Sequence, residues 1–105
     1  MMSLEAPNPP LRQDVSKWDV VIDKLSKCES EQIADIVSVD SNGYKSYGWL
    51  MFQKRTYDWA GEKYGLPHND ILSPAQQIPI AKAMFEDGLG PIHWVNCWKK
   101  MKLPV

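Results

Sequence analysis

Two carboxylates carry the most suggestive chemistry in this sequence. Glu29 follows Cys28 directly, at the end of a run in which Trp18, Val21, Ile22 and Leu25 recur at helical spacing. A carboxyl beside such an apolar face is disfavoured in its charged form, so its pKa rises and it holds its proton toward neutral pH. An acid of that kind can protonate the bridging oxygen of a glycoside. For an arbitrary Glu at a helix end a solvated side chain is the commoner outcome, and position alone does not overturn it.

Asp40 is the second carboxylate, in the turn-forming stretch Asp40-Ser41-Asn42-Gly43. By its residues alone this stretch needs only turn chemistry; a glycosidase that uses a second carboxylate beside its acid takes one of two spacings. Carboxyl separations of roughly 5 Å or about 6.5–9.5 Å distinguish retaining from inverting chemistry. Asp35 is a fallback partner and reads more simply as a solvated residue.

Cys28 and Cys97 allow one disulfide, two free thiols, half a metal site or a nucleophile. A bond between them would close a loop of about 70 residues, worth roughly 4 kcal/mol in the chain-entropy model. It would also place the protein in an oxidising compartment. A nucleophilic Cys28 paired with His93 or His68 is disfavoured, because a thiol on an apolar helical face has a raised pKa. A zinc site lacks any close-spaced ligand pair, and His68 reads as a loop residue. No Gly-rich phosphate loop or Ser-His-Asp arrangement is visible.

The elements that must position these groups follow from spacing and punctuation. Ser16, with Asp19 three residues on, forms a capping pattern for the first helix. Ile36 to Val39 and Tyr44 to Trp49 read as the strands of a short hairpin with Asp40 near the bend. A helix is expected from about Thr56 to Tyr64, ended by Gly65 and Pro67. Ser73-Pro74, with Gln76 completing a capping pattern, starts another helix that Gly88 closes, and Pro79 should bend its first turns. Pro91 opens a last short helix in which Trp94, Cys97, Trp98 and Met101 share a face.

The totals bound the possibilities. A chain of 105 residues is one domain, read as a flexible lead-in over residues 1–15 and a folded unit over 16–105. A hydrophobic fraction of 44%, with five Trp and four Tyr, supports a small aromatic core. Twelve basic against thirteen acidic residues, with no Lys/Arg stripe, give a nucleic-acid partner no electrostatic support. No apolar run is long enough to span a membrane, and the N-terminus lacks the charged and apolar regions of a signal peptide. The Trp- and Lys-containing tail is too short for a membrane-surface helix.

Cys28-Glu29-Ser30, then Tyr47-Gly48-Trp49-Leu50-Met51-Phe52-Gln53, then Thr56 and Trp59 resemble the lytic transglycosylase and resuscitation-promoting-factor domains of the lysozyme-like superfamily. The resemblance continues through Ile71, Pro74, Gln76, Ala81 and Gly88 to Trp94 and Cys97, and so covers about Trp18 to Cys97. It implies that Glu29 is the catalytic acid and that Gln53 lines the sugar cleft beside it. Tyr47 and Gly48 would stand on the cleft wall, with Thr56 and Trp94 as weaker glycan contacts; for Trp94, core packing is the simpler role. It also implies a Cys28–Cys97 bridge. Where the family carries Gly-Asn after Glu-Ser, this chain has Glu31-Gln32. The stretch Asp40 to Gly48 further resembles the active-site hairpin of phage-type lysozymes, in which an Asp and a Thr stand at the places of Asp40 and Ser46.

Together these readings predict an α+β, helix-dominated, lysozyme-like fold with a small hairpin forming one wall of a glycan cleft. The expected activity is cleavage of the β-1,4 bond between N-acetylmuramic acid and N-acetylglucosamine in peptidoglycan, with chitin-type polymers less favoured. A lytic transglycosylase would need only Glu29 as acid and then base, whereas a hydrolase would also use Asp40. The alternative is a non-catalytic glycan-binding module on the same fold. No cofactor or metal is implied, and the protein is expected to be a monomer, secreted or otherwise outside the cytoplasm, including as a phage lysin.

Overall fold

The structure is a computed structural model that describes the backbone of residues 8–102 and the side chains of residues 17–102. Five helices and one three-stranded antiparallel sheet follow in the order α1 (Asn8–Ser30), β1 (Val37–Val39), β2 (Lys45–Tyr47), β3 (Phe52–Gln53), α2 (Lys54–Tyr64), α3 (Pro74–Glu86), α4 (Gly90–His93) and α5 (Val95–Met101). The protein is therefore α+β and helix-dominated.

Helix α1 begins earlier than the capping pattern at Ser16 suggests. Its first turn contains Pro9 and Pro10, and a proline is tolerated there because the first N–H groups of a helix have no intrahelical acceptor. Ser16 thus falls inside the helix. Of the expected lead-in, residues 8–15 belong to α1 and residues 1–7 lie outside the described residues. The apolar face behaves as its spacing requires: Val21, Ile22 and Leu25 are buried, and Trp18 packs its ring 5.3 Å from that of Phe85.

The helix ends in an unusual way. Glu31 and Gln32 both adopt positive φ, 55° and 59°, while their N–H groups bond to Lys27 O and Ser26 O. This reversal satisfies the last carbonyls of the helix and is normally made with Gly or Asn. The Gln32 side chain secures it by donating to Asp23 Oδ1 at 3.1 Å and Ser26 Oγ at 3.0 Å.

The sheet has the order β1-β2-β3, with Val37 opposite Tyr47, Val39 opposite Lys45, and Ser46 opposite Gln53. The expected hairpin is present, and a third strand of two residues adds to it. Strand β2 is shorter than the stretch Tyr44 to Trp49, because the chain turns at Gly48 (φ 75°) and Met51 (φ 52°) to form β3.

Helix α2 starts at Lys54, slightly before Thr56, and ends on Gly65 in the left-handed conformation. Helix α3 is capped by Ser73, whose side chain accepts from Gln76 N. The reciprocal half of that capping box is not made. Gln76 Oε1 instead accepts from Asp70 N and the Tyr57 hydroxyl, and its Nε2 donates to Asn69, tying the 66–73 loop to α2 and α3. Pro79 is accommodated inside α3. His68 fills the space over Gly61, where an added Cβ would lie 2.3 Å from its ring. The expected last helix is divided into α4 and α5 at Trp94, which is 4% exposed.

The core is one cluster in which Leu25, Leu50, Tyr57, Ala60, Ile80, Ala81 and Met84 are almost wholly excluded from solvent, with Phe52, Phe85 and Trp94 packed edge to face. Cys28 and Cys97 are joined by a disulfide across a Cα–Cα distance of 5.9 Å, fastening the end of α1 to α5. A disulfide suits an oxidising, extracytoplasmic environment. Among the described residues no helix is long and apolar enough to cross a membrane.

Candidate active site

A cleft of about 370 Å³ opens where the end of α1, the sheet and the α4–α5 junction meet. The end of α1 contributes Glu29; the hairpin, β3 and the start of α2 contribute Asp40, Ser46, Gln53 and Thr56; and the α4–α5 junction contributes Ile92, His93, Val95 and Asn96. Met51, Phe52 and Trp94 complete the lining between them.

Glu29 occupies the last turn of α1 because the helix face buries Leu25 and the adjacent Cys28 is fastened to α5. Its side chain is half-buried, and its pKa is raised from 4.5 to about 7. Desolvation is the main cause and the negative charge of Asp40 adds to it. A carboxyl poised there exchanges its proton in the pH range where a general acid is most useful.

Asp40 is held from the side by its own hairpin. Its Oδ2 accepts from the Ser46 hydroxyl on β2 and from Gln53 Nε2 on β3 at 2.9 Å. The register that sets Ser46 opposite Gln53 brings both donors to one oxygen. The turn places Asp40 within their reach, since Asp40 N bonds to Tyr44 O and Gly43 N bonds to Asp40 O. Asp40 Oδ1 makes no hydrogen bond among the described residues.

Glu29, Asp40, Ser46, Gln53 and Thr56, all singled out by the sequence, thus line one cleft. Tyr47 and Gly48 do not line it. Tyr47 pairs with Phe52, and its carbonyl accepts from Gln77 Nε2 at 2.9 Å. At Gly48 an added Cβ would lie 2.5 Å from Gln77 Nε2 and 3.3 Å from Ala34 O. The glycine therefore allows close approach to a buried amide within the protein and not to a sugar ring. Asp35, the fallback carboxylate, is exposed and outside the lining. Trp94 takes its core role, packing against Phe52 and Phe85 and donating Nε1 to Leu50 O at 2.8 Å, while one edge reaches the cleft.

The α4–α5 part of the lining carries no motif of its own in the sequence. Ile92 and Val95 are exposed at 64% and 42%, and His93 has its pKa lowered by desolvation of its ring. His93 and Asn96 flank Trp94 and Cys97 in sequence, so the buried pair in effect selects its neighbours as cleft residues. That signal is readable only once Trp94 and Cys97 are known to face inward. Among the described residues no three His, Cys, Asp or Glu side chains converge to hold a metal ion. Both cysteines are committed to the disulfide, which removes Cys28 as a nucleophile and the pair as metal ligands.

Comparisons with models of protein families, with curated proteins and with solved structures return no match to this chain.

Proposed function

We propose that this protein cleaves the glycan strands of peptidoglycan as a lysozyme-like glycosidase, with Glu29 as the general acid. The observation that carries the reading is the half-buried Glu29 carboxyl, its pKa raised to about 7, in a cleft shared with Asp40. Protonated Glu29 would deliver its proton to the glycosidic oxygen as the bond to C1 breaks. Positive charge then develops on the sugar ring, and a second carboxylate in the cleft stabilises it or directs a water to C1.

Asp40 favours hydrolysis over the transglycosylase route. A transglycosylase needs no second carboxylate, yet here two donors, Ser46 and Gln53, hold one oxygen of a carboxylate that lines the cleft with Glu29. Thr56, His93 and Asn96 in the lining offer further hydrogen-bonding groups to sugar hydroxyls or acetamido groups.

Digestion of purified peptidoglycan followed by mass spectrometry tests this proposal. Muropeptides with reducing N-acetylmuramic acid ends are expected, and Glu29→Gln should remove the activity while preserving the fold. Anhydro ends would instead assign a transglycosylase. A folded wild-type protein that binds the polymer and releases nothing would be a glycan-binding module, and the enzymatic reading would fall.

A further inference from the structure

Gln77 is wholly buried in α3, outside the cleft lining, yet both of its polar atoms bond the segment that joins the two partners of Asp40. Its Oε1 accepts from Leu50 N at 2.9 Å, and its Nε2 donates to Tyr47 O at 2.9 Å and Ile71 O at 2.5 Å. Tyr47 and Leu50 are the two ends of the tight turn through Gly48 and Trp49. On one side of this turn stands Ser46, and on the other Gln53, the two donors to Asp40 Oδ2.

The middle of the same turn is tied to the acid. Ser30, next to Glu29 in the last turn of α1, donates its hydroxyl to Trp49 O at 2.7 Å. From the far side Trp94 Nε1 donates to Leu50 O. A single backbone turn is therefore gripped from α1, α3 and the α4–α5 junction, and it connects the Glu29 side of the cleft to the Asp40 side. A buried amide with all its bonds made is costly to disturb, because each group left unpaired retains its full desolvation penalty. Gly48 is the complementary half of the contact, as no side chain fits between the turn and the Gln77 amide.

We propose that Gln77 is a positioning residue for the reaction: by clamping the 47–50 turn it fixes where Asp40 and its two donors stand relative to Glu29. This inference rests on the glycosidase reading above. It concerns no group that touches substrate, so its signature is a loss in turnover with binding retained.

Two variants of the full chain test it. Gln77→Met keeps the length of the side chain and removes its hydrogen bonds. Gln77→Glu keeps an acceptor for Leu50 N and, only when protonated, a donor for Tyr47 O. Gln77→Met should stay folded, with kcat on peptidoglycan lowered about 10- to 100-fold and KM changed by less than about threefold. Leu50 amide exchange should quicken by about tenfold or more, and the Glu29 carboxyl titration, followed by NMR, should move. Gln77→Glu should recover turnover on acidification, over and above the acid gain of the wild type.

Wild-type kcat and an unmoved Glu29 titration in Gln77→Met, despite faster Leu50 exchange, would overturn the proposal. So would a loss of kcat equal to the unfolded fraction. Should Gln77→Met fail to fold, a deficit in Gln77→Glu that does not respond to pH overturns it alone. Failure of the underlying reading looks different: the wild type itself shows no turnover, while the Leu50 and Glu29 signals still report on the turn.

Discussion

Gln53 Nε2 lies 2.9 Å from Asp40 Oδ2, thirteen residues away in sequence and two strands away in the sheet. With the Ser46 hydroxyl it makes Asp40 a carboxylate fixed by its own hairpin, one oxygen occupied and the other without a partner among the described residues. Asp40→Asn removes the charge with little change of shape. It should lower kcat on peptidoglycan by about 100-fold or more, with KM moved only a few-fold, a size expected for loss of a positioned base or stabilising charge. Ser46→Ala removes one of the two donors and should cost about tenfold. Steady-state kinetics on soluble muropeptide oligomers checks both.

Glu29 makes activity and stability respond to pH in linked ways. Catalysis needs the protonated carboxyl, so kcat should fall with an alkaline midpoint near pH 7, tenfold per unit beyond it. Asp40→Asn, by removing a repelling charge, should draw that midpoint to lower pH. For stability the sign follows from proton counting. Between 4.5 and about 7 the folded protein keeps a proton that the unfolded chain has lost, so stability falls as pH rises through this window. Discounted for partial exposure, the loss is about 1–2 kcal/mol. Glu29→Gln should escape it, melting higher than the wild type at pH 8 and equally at pH 4, as thermal scans at the two pH values would show.

Glu31 holds a conformation that disfavours its own side chain, at φ 55°. Glu31→Gly should therefore stabilise the protein by about 1 kcal/mol, the left-handed cost outweighing the extra freedom that glycine adds to the unfolded chain. Denaturant unfolding at constant m-value measures it. Activity should be unchanged, because Glu31 does not line the cleft.

Reduction of the Cys28–Cys97 bond releases a closure of 69 residues, worth about 4 kcal/mol. For a domain of this size the melting temperature should fall by roughly 15–30 °C in reductant. Activity at the growth temperature of a mesophile should fall with it, measured side by side with and without a thiol reductant.

Much of this architecture was legible in the chain because local rules agreed with the fold. The apolar stripe of α1, the Asp40 turn, Gly65 after α2 and Ser73-Pro74 before α3 each do in the structure what their chemistry prescribes. The start of α1 was not, since a Pro-rich stretch reads as a lead-in although prolines also open helices. Strand β3 is two residues long and has no period to detect. The α4–α5 wall and Gln77 were invisible for a different reason. Their roles depend on residues far along the chain, and neither a buried amide nor a histidine beside a tryptophan announces its partner in sequence.

The same covalent bond has a mechanical consequence. It fastens the residue before Glu29 to the residue after Asn96, so the two jaws of the groove are stapled close to their hinge. The separation of α1 from α5 beside the cleft is limited by that bond. The reach of the acid across the groove is thereby set by a covalent link, while the place of Asp40 is set by hydrogen bonds alone.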